Sequence, residues 1–153
     1  FFNYNIDIVK IDVEGFEYKI ILSILKHSRP LLIEVETNLN SEVYHNTFDD
    51  INLVLKKKGY KLVTAYSIFK KTKKNDISSS YDIGNYDNPI SRSNLEQLEC
   101  IYIRDKSQYN IKDITIFVGY GLLQEVKKIF DKSKVKCSKF EKDTINKILK
   151  TFF

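Results

Sequence analysis

Several residue types are scarce or missing in these 153 residues, and each shortage closes off a class of proteins. The chain has no Met and no Trp, only two Cys, two Pro and two His, and five Gly. Cys100 and Cys137 match no metal or redox spacing, so no disulfide framework is encoded and the expectation is a reducing, cytoplasmic protein with Cys100 as a small core residue. His27 and His45 have no partner at ligand spacing and read as a helix C-terminal cation and a loop residue, so no metal is expected. No run approaches the roughly 20 apolar residues of a membrane helix, and the start lacks the basic region and cleavage site of a secretory signal. With no initiator Met and a core strand almost at once, the chain is expected to be the C-terminal portion of a longer protein. No internal repeat is evident.

What is present is an ordinary globular composition, 42% apolar and 29% charged, with an uneven charge. Residues 1–105 hold 14 Lys and Arg against 15 acids, whereas residues 106–153 hold 11 Lys against 5. The net +5 therefore belongs to the last third. That tail could grip nucleic acid or an anionic surface. Its lysines alternate with acids on helical stretches, however, and read more simply as a solvated face.

The pattern of the first 105 residues is β-α-β-α-β-loop-β. Ile6–Val13 reads as a strand buried on both sides. Phe16, Ile20, Ile21, Ile24 and Leu25 then share one helical face, and the helix should stop before Arg29-Pro30. Leu31–Glu36 is a second buried strand, followed by a polar loop to Asn46. Thr47 is the expected N-cap of a helix striped by Phe48, Ile51, Val54 and Leu55 and closed by Lys56-Lys57-Lys58-Gly59. Tyr60–Phe69 is a third strand, residues 70–94 a long polar loop, and Glu99–Ile103 a last strand. Strands alternating with helices imply an α/β fold with a parallel sheet. The last strand, reached without a helix, is expected as an antiparallel edge or as a hairpin partner of the Tyr60 strand. In the tail, Ile114–Val118 reads as a strand, Gly119-Tyr120-Gly121 as a turn, and two amphipathic helices follow, the second with Ile145, Ile148 and Leu149 as its stripe.

Four carboxylates end the first two strands: Asp12 and Glu14, then Glu34 and Glu36. Ligands of open α/β sheets bind just outside such strand ends, and alternation pairs each set on one side. A cluster of this kind can grip ribose or amino groups, hold a hard cation, or take a proton from a nucleophile. The bland alternative is that Glu14 and Glu17 favour a helix N-terminus and Glu36 is a solvated strand end. Asp12 and Glu34 lie inside apolar runs, where an unpaired buried carboxylate is costly, and this favours function for both.

The stretch Asp7-Ile8-Val9-Lys10-Ile11-Asp12-Val13-Glu14-Gly15-Phe16-Glu17 resembles the hallmark of the FkbM-type methyltransferases, an apolar run followed by Lys-Ile-Asp-Val-Glu-Gly, any residue, and Glu. Arg29-Pro30-Leu31-Leu32-Ile33-Glu34-Val35-Glu36 is similar to that family's Pro-led strand, and Lys58-Gly59-Tyr60-Lys61-Leu62 to its Gly-Tyr strand entry. The resemblance runs over roughly residues 5–105. It implies the C-terminal half of a Rossmann-like class I sheet, with the Asp12 strand fourth and the Glu34 strand fifth, followed by a helical basic tail from residue 106. It further implies S-adenosylmethionine as cofactor and a hydroxyl of a sugar or natural product as acceptor. Asp12 and Glu14 would then shape the reaction centre, with Gly15, Glu17, Glu34 and Glu36 supporting the rim and Asp12 as the candidate contact to cofactor. The family's glycine-rich loop and ribose-holding acid are not among these residues. Gly119-Tyr120-Gly121 imitates that loop only superficially.

Two functions remain open at this point. One is methyl transfer to a small-molecule or glycan acceptor, with the 70–94 loop over the acceptor. The other is a non-catalytic, methyltransferase-like remnant that binds a partner through its basic tail. A homo-oligomer also stays open.

Overall fold

The computed structural model describes residues 6–13, 15–39, 46–68 and 97–152. The chain divides into two units, Phe1–Arg104 and Asp105–Phe153. The first contains β1 (Ile8–Ile11), α1 (Glu17–His27), β2 (Leu32–Asn38), α2 (Phe48–Lys57), β3 (Tyr60–Ile68) and β4 (Gln97–Arg104). The second contains β5 (Tyr109–Asn110), α3 (Ile111–Gly119), α4 (Leu123–Asp131), β6 (Val135–Lys136) and α5 (Lys139–Phe152).

In the first unit the local signals act as read. α1 stops at Ser28, just before Arg29-Pro30. Thr47 caps α2, and the Asp50 carboxylate closes the capping box by accepting the Thr47 backbone N–H, so two orphan donors are satisfied reciprocally. The sheet has the order β1-β2-β4-β3, with β1 and β2 parallel and β4 antiparallel to both of its neighbours. This is an α/β unit with a mixed sheet, compatible with a Rossmann-like arrangement. The crossovers β1-α1-β2 and β2-α2-β3 step the same way across the sheet, and right-handed connections then leave both helices on one face. The core lies there, with Ile11, Ile33, Val35, Cys100 and Tyr102 of the sheet against Ile21, Ile51 and Leu55 of the helices.

Two strand expectations are corrected. The final strand is no edge: β4 pairs with β3 as expected but also inserts beside β2. Its continuous apolar run Cys100-Ile101-Tyr102-Ile103 is buried on both faces, which is the pattern of an interior strand. The first strand, conversely, is short and among the described residues forms one edge. Ile8 is 39% exposed and only Ile11 is buried.

In the second unit the expected strand over Ile114–Val118 is helical. Asn110 accepts a hydrogen bond from the Asp113 N–H (2.9 Å) while the Asp113 carboxylate accepts from the Asn110 N–H (2.9 Å). This capping box starts α3, and it places Ile114, Phe117 and Val118 on one face at helical spacing. The β-branched run favours a strand by propensity, and packing overrides it. Phe117 is fully buried and meets Tyr109 edge to face at 5.7 Å. The Gly119–Gly121 turn joins helix to helix, with Gly121 at φ 71°, a left-handed position where glycine carries no Cβ penalty. α5 follows the expected tail helix, burying Ile145 and Leu149.

Candidate functional site at the carboxyl ends of β1 and β2

The site begins where β1 stops. Asp12 lies one residue beyond the strand and is exposed, which corrects the expectation that it is buried among apolar neighbours. Among the described residues β1 is an edge strand of the sheet, and its end is exposed. Glu14 falls outside the described residues, as do His45 and the 70–94 loop with its lysines. Gly15, at φ 105°, occupies a backbone conformation that a side chain would strain.

Glu17 proves to be a buried strut instead of a rim group. It is 2% exposed, at the start of α1. Its carboxylate accepts the backbone N–H of Val13 (3.2 Å) and of Gly15 (3.1 Å) and the Asn46 side-chain amide (2.6 Å). Asn46 in turn accepts the Tyr18 N–H through its own carbonyl at 3.0 Å. One carboxylate thus ties the acidic turn to the first turn of α1 and to the residue before the α2 N-cap. Burial alone pushes the Glu17 carboxyl up, but the Asn46 amide and the surrounding backbone N–H groups outweigh it and hold the group below its ordinary value.

Glu34 and Glu36 project from β2 on the sheet face opposite the two helices. Glu34 is the register partner of Lys10, and Glu36 of Glu99 on β4. Two glutamates directly opposite repel. Lys10 offsets this by donating to Glu34 and to Glu99, each at 2.6 Å, across three strands. Its hydrogen bonds to Glu34 and Glu99 raise its pKa above the usual lysine value, with burial opposing. Lys10 is 54% exposed, so the pairs add little stability, below about 1 kcal/mol each. Their consequence is that Glu34 and Glu99 are engaged, while Asp12 stands in solvent.

Of the candidates, the structure groups Glu34, Glu36, Glu99 and Lys10 on one sheet face, assigns Glu17 to the turn, and leaves Asp12 exposed at the strand end. Among the described residues no group of three or more His, Cys, Asp or Glu is arranged to hold a metal. No helix among them is long and apolar enough to cross a membrane. Sequence reading passed over Lys10, Glu99 and Asn46. A lysine amid the β1 apolar run was a visible signal that an acid lay opposite. Nothing in the sequence marks Asn46 as the partner of Glu17.

Residues 1–62 match the family model described as the Methyltransferase FkbM domain. The matched segment spans β1, α1, β2 and α2 and ends in β3, short of the 5–105 span read from the motifs. No curated protein and no solved structure matches the chain.

Proposed function

We propose, starting from an N-terminal part of FkbM methyltransferase type, that the chain serves methyl transfer from S-adenosylmethionine to a hydroxyl of a sugar or natural-product acceptor. The observation that carries this reading is the family match over residues 1–62, whose motif turn Glu17 draws together just after Asp12. Asp12 is the group to take the acceptor's proton as its oxygen attacks, because the neighbouring acids are otherwise occupied. Glu34 and Glu99 are held by Lys10, and Glu17 is buried under three donor groups. Glu14 is its companion by position in the motif.

The sheet supports a class I assignment, with β1 and β2 as the fourth and fifth strands. A single reversed strand, β4, stands between the last two parallel ones, and Asp12 is at a carboxyl end, where α/β sheets bind ligands. When bound, S-adenosylmethionine supplies a methyl group on a sulfonium cation. The described residues fit the cationic part of such a donor, since on this face Glu34, Glu36 and Glu99 outnumber the lysines Lys10 and Lys61. Gly15 and Glu17 keep the turn in shape, and Glu34 and Glu36 support the rim.

The test is calorimetric titration of the chain with S-adenosylhomocysteine, joined to transfer of labelled methyl from S-adenosylmethionine to sugar acceptors. Asp12→Asn is expected to lower transfer by about 10²- to 10⁴-fold while product affinity stays within a few fold. Unchanged turnover in that variant removes Asp12 from the mechanism. A folded chain that takes up no S-adenosylhomocysteine overturns the reading for these residues.

A further inference from the structure

We propose that the end of the first unit opposite the acidic strand ends is a docking face for an anionic lipid bilayer, carried by Lys26, Arg29, Lys56, Lys57 and Lys58. The topology makes this face. β1, β2 and β3 run the same way, so each helix between them runs back, and α1 and α2 both finish at the amino ends of the strands. Hydrogen bonds tie that end together. The Leu31 and Leu32 N–H groups donate to the Asp7 carbonyl at 2.8 and 3.0 Å, the Arg104 N–H to the Leu31 carbonyl at 2.8 Å, and the Tyr60 hydroxyl to the Pro30 carbonyl at 2.8 Å. The Arg29 guanidinium donates to the Lys58 carbonyl at 2.9 Å and so joins the turn after α1 to the end of α2.

Five permanent cations from two helix ends thereby share one surface. All five are exposed, and none forms an ion pair with a described residue. Among the described residues of the unit, Asp7 is the one acid at this end, whereas Asp12, Glu36, Asp50 and Glu99 lie towards the other. Helix dipoles call for a cation or two at each C-terminus. That demand does not account for the cluster, because of the five side chains only that of Arg29 bonds to a helix-end carbonyl.

Charge and reach select the occupant. Residues 1–105 carry almost equal numbers of cations and acids, so their net charge attracts nothing. The 7 residues of β2 hold the two ends apart by about 23 Å, and the screening length at physiological salt is about 8 Å. An anionic surface at the basic end therefore does not feel the acids at the other. A single seated phosphate favours helix N-termini; here two helix C-termini present carbonyls, and the long lysine arms reach past them to a layer of charge. Base stacking needs exposed aromatic rings beside the cations. The exposed rings described in this unit, Phe16 and Tyr66, lie away from this end. Polybasic clusters of this size bind anionic bilayers, each cation near the surface adding roughly fivefold. Docked in this way, the unit turns Asp12 and the carboxyl ends of its strands towards water.

The inference does not rest on methyl transfer and is tested without it. The full chain is sedimented with vesicles of phosphatidylcholine and phosphatidylserine, and with phosphatidylcholine alone. Binding is expected only to the anionic vesicles, and it should fade in raised salt. Lys56→Gln, Lys57→Gln and Lys58→Gln combined should weaken it about 10²-fold. The matched triple Lys142→Gln, Lys147→Gln and Lys150→Gln removes the same charge from α5 and should leave most of the binding; all six positions are exposed. Amine acetylation of the unaltered chain gives a second reading. The vesicles should shield Lys26 and Lys57 but not Lys19, in the first turn of α1. No binding to the anionic vesicles overturns the proposal, as does equal weakening by both triples, or shielding of Lys19 equal to that of Lys57. Duplex DNA bound through these same lysines, with the vesicles ignored, would put a nucleic acid on this face and overturn it equally.

Discussion

Both units cap helices with a carboxylate three residues on, Asp50 on Thr47 in the first, but they differ in how far their other carboxylates reach. In Phe1–Arg104, Glu17 binds Asn46 across 29 positions, and Lys10 bridges to Glu99 across 89. In Asp105–Phe153 the corresponding bonds are local: Asp113 and Glu141 each return to a cap three residues back, and Lys128 pairs with Glu125 at 2.7 Å. The cores follow suit. One gathers Ile11, Ile33, Tyr60 and Tyr102 from the four strands and Ile21 and Ile51 from the two helices, whereas the other begins with Tyr109 against Phe117. Among the acids with distant partners, Glu17 shapes the turn at a strand end and Glu99 ties strands together. Acids with local partners start helices.

This contrast can be broken most forcefully at the second core. Phe117→Ala removes a fully buried ring and should cost about 3–5 kcal/mol, read as faster hydrogen exchange throughout α3 and α4. Glu17→Ala should cost about 2–3 kcal/mol, because the Asn46 amide and the Val13 and Gly15 N–H groups lose their acceptor. The pH dependence carries the same signature. A carboxyl whose folded pKa is lowered stabilises the fold above its unfolded value, near 4.3, and that stability is lost as pH falls through the folded value. Acid titration of urea midpoints should therefore flatten in this window for Glu17→Gln. Unaltered acid sensitivity in that variant would remove the strut from unit 1.

Smaller effects sharpen the comparison. Ser133→Gly should stabilise α4 by about 0.5–1 kcal/mol, since φ 52° is strained for any side chain; a loss measured by thermal denaturation would contradict the left-handed cap. Lys10→Met should change stability by less than about 1 kcal/mol, as its pairs are solvent-exposed. Its effect should shrink further in high salt, and a large salt-independent loss would mean that the triad is structural.

Much of the first unit was legible. The α1 stripe, the Thr47 cap and the stop before Pro30 are local matters of period, side-chain length and proline sterics, and each element formed where those signals stand. Cys100 lies in the core as its apolar setting indicated. The acids at the strand ends were legible as residues but not in their roles. Asp12 read as buried because its neighbours are apolar, yet exposure depends on whether another strand lies beyond β1. Glu17 read as a rim group because its acceptors are backbone N–H groups and an asparagine 29 positions on. Ile114–Val118 misled by propensity, although Asn110 and Asp113 offered a capping box three residues apart.

The sequence by itself determined the alternation of strands and helices in the first unit, its helix ends, the separation of charge between the two units and the motif that resembles the FkbM family's, because these rest on spacing within a few residues. Only the tertiary structure decided that β4 enters between β2 and β3, that Lys10 holds two glutamates across three strands, that Glu17 is spent on a turn, and that Phe117 packs against Tyr109. Each of these is a choice of partner. A chain position states what a residue can bond with, and register, strand order and burial settle which of those bonds is made.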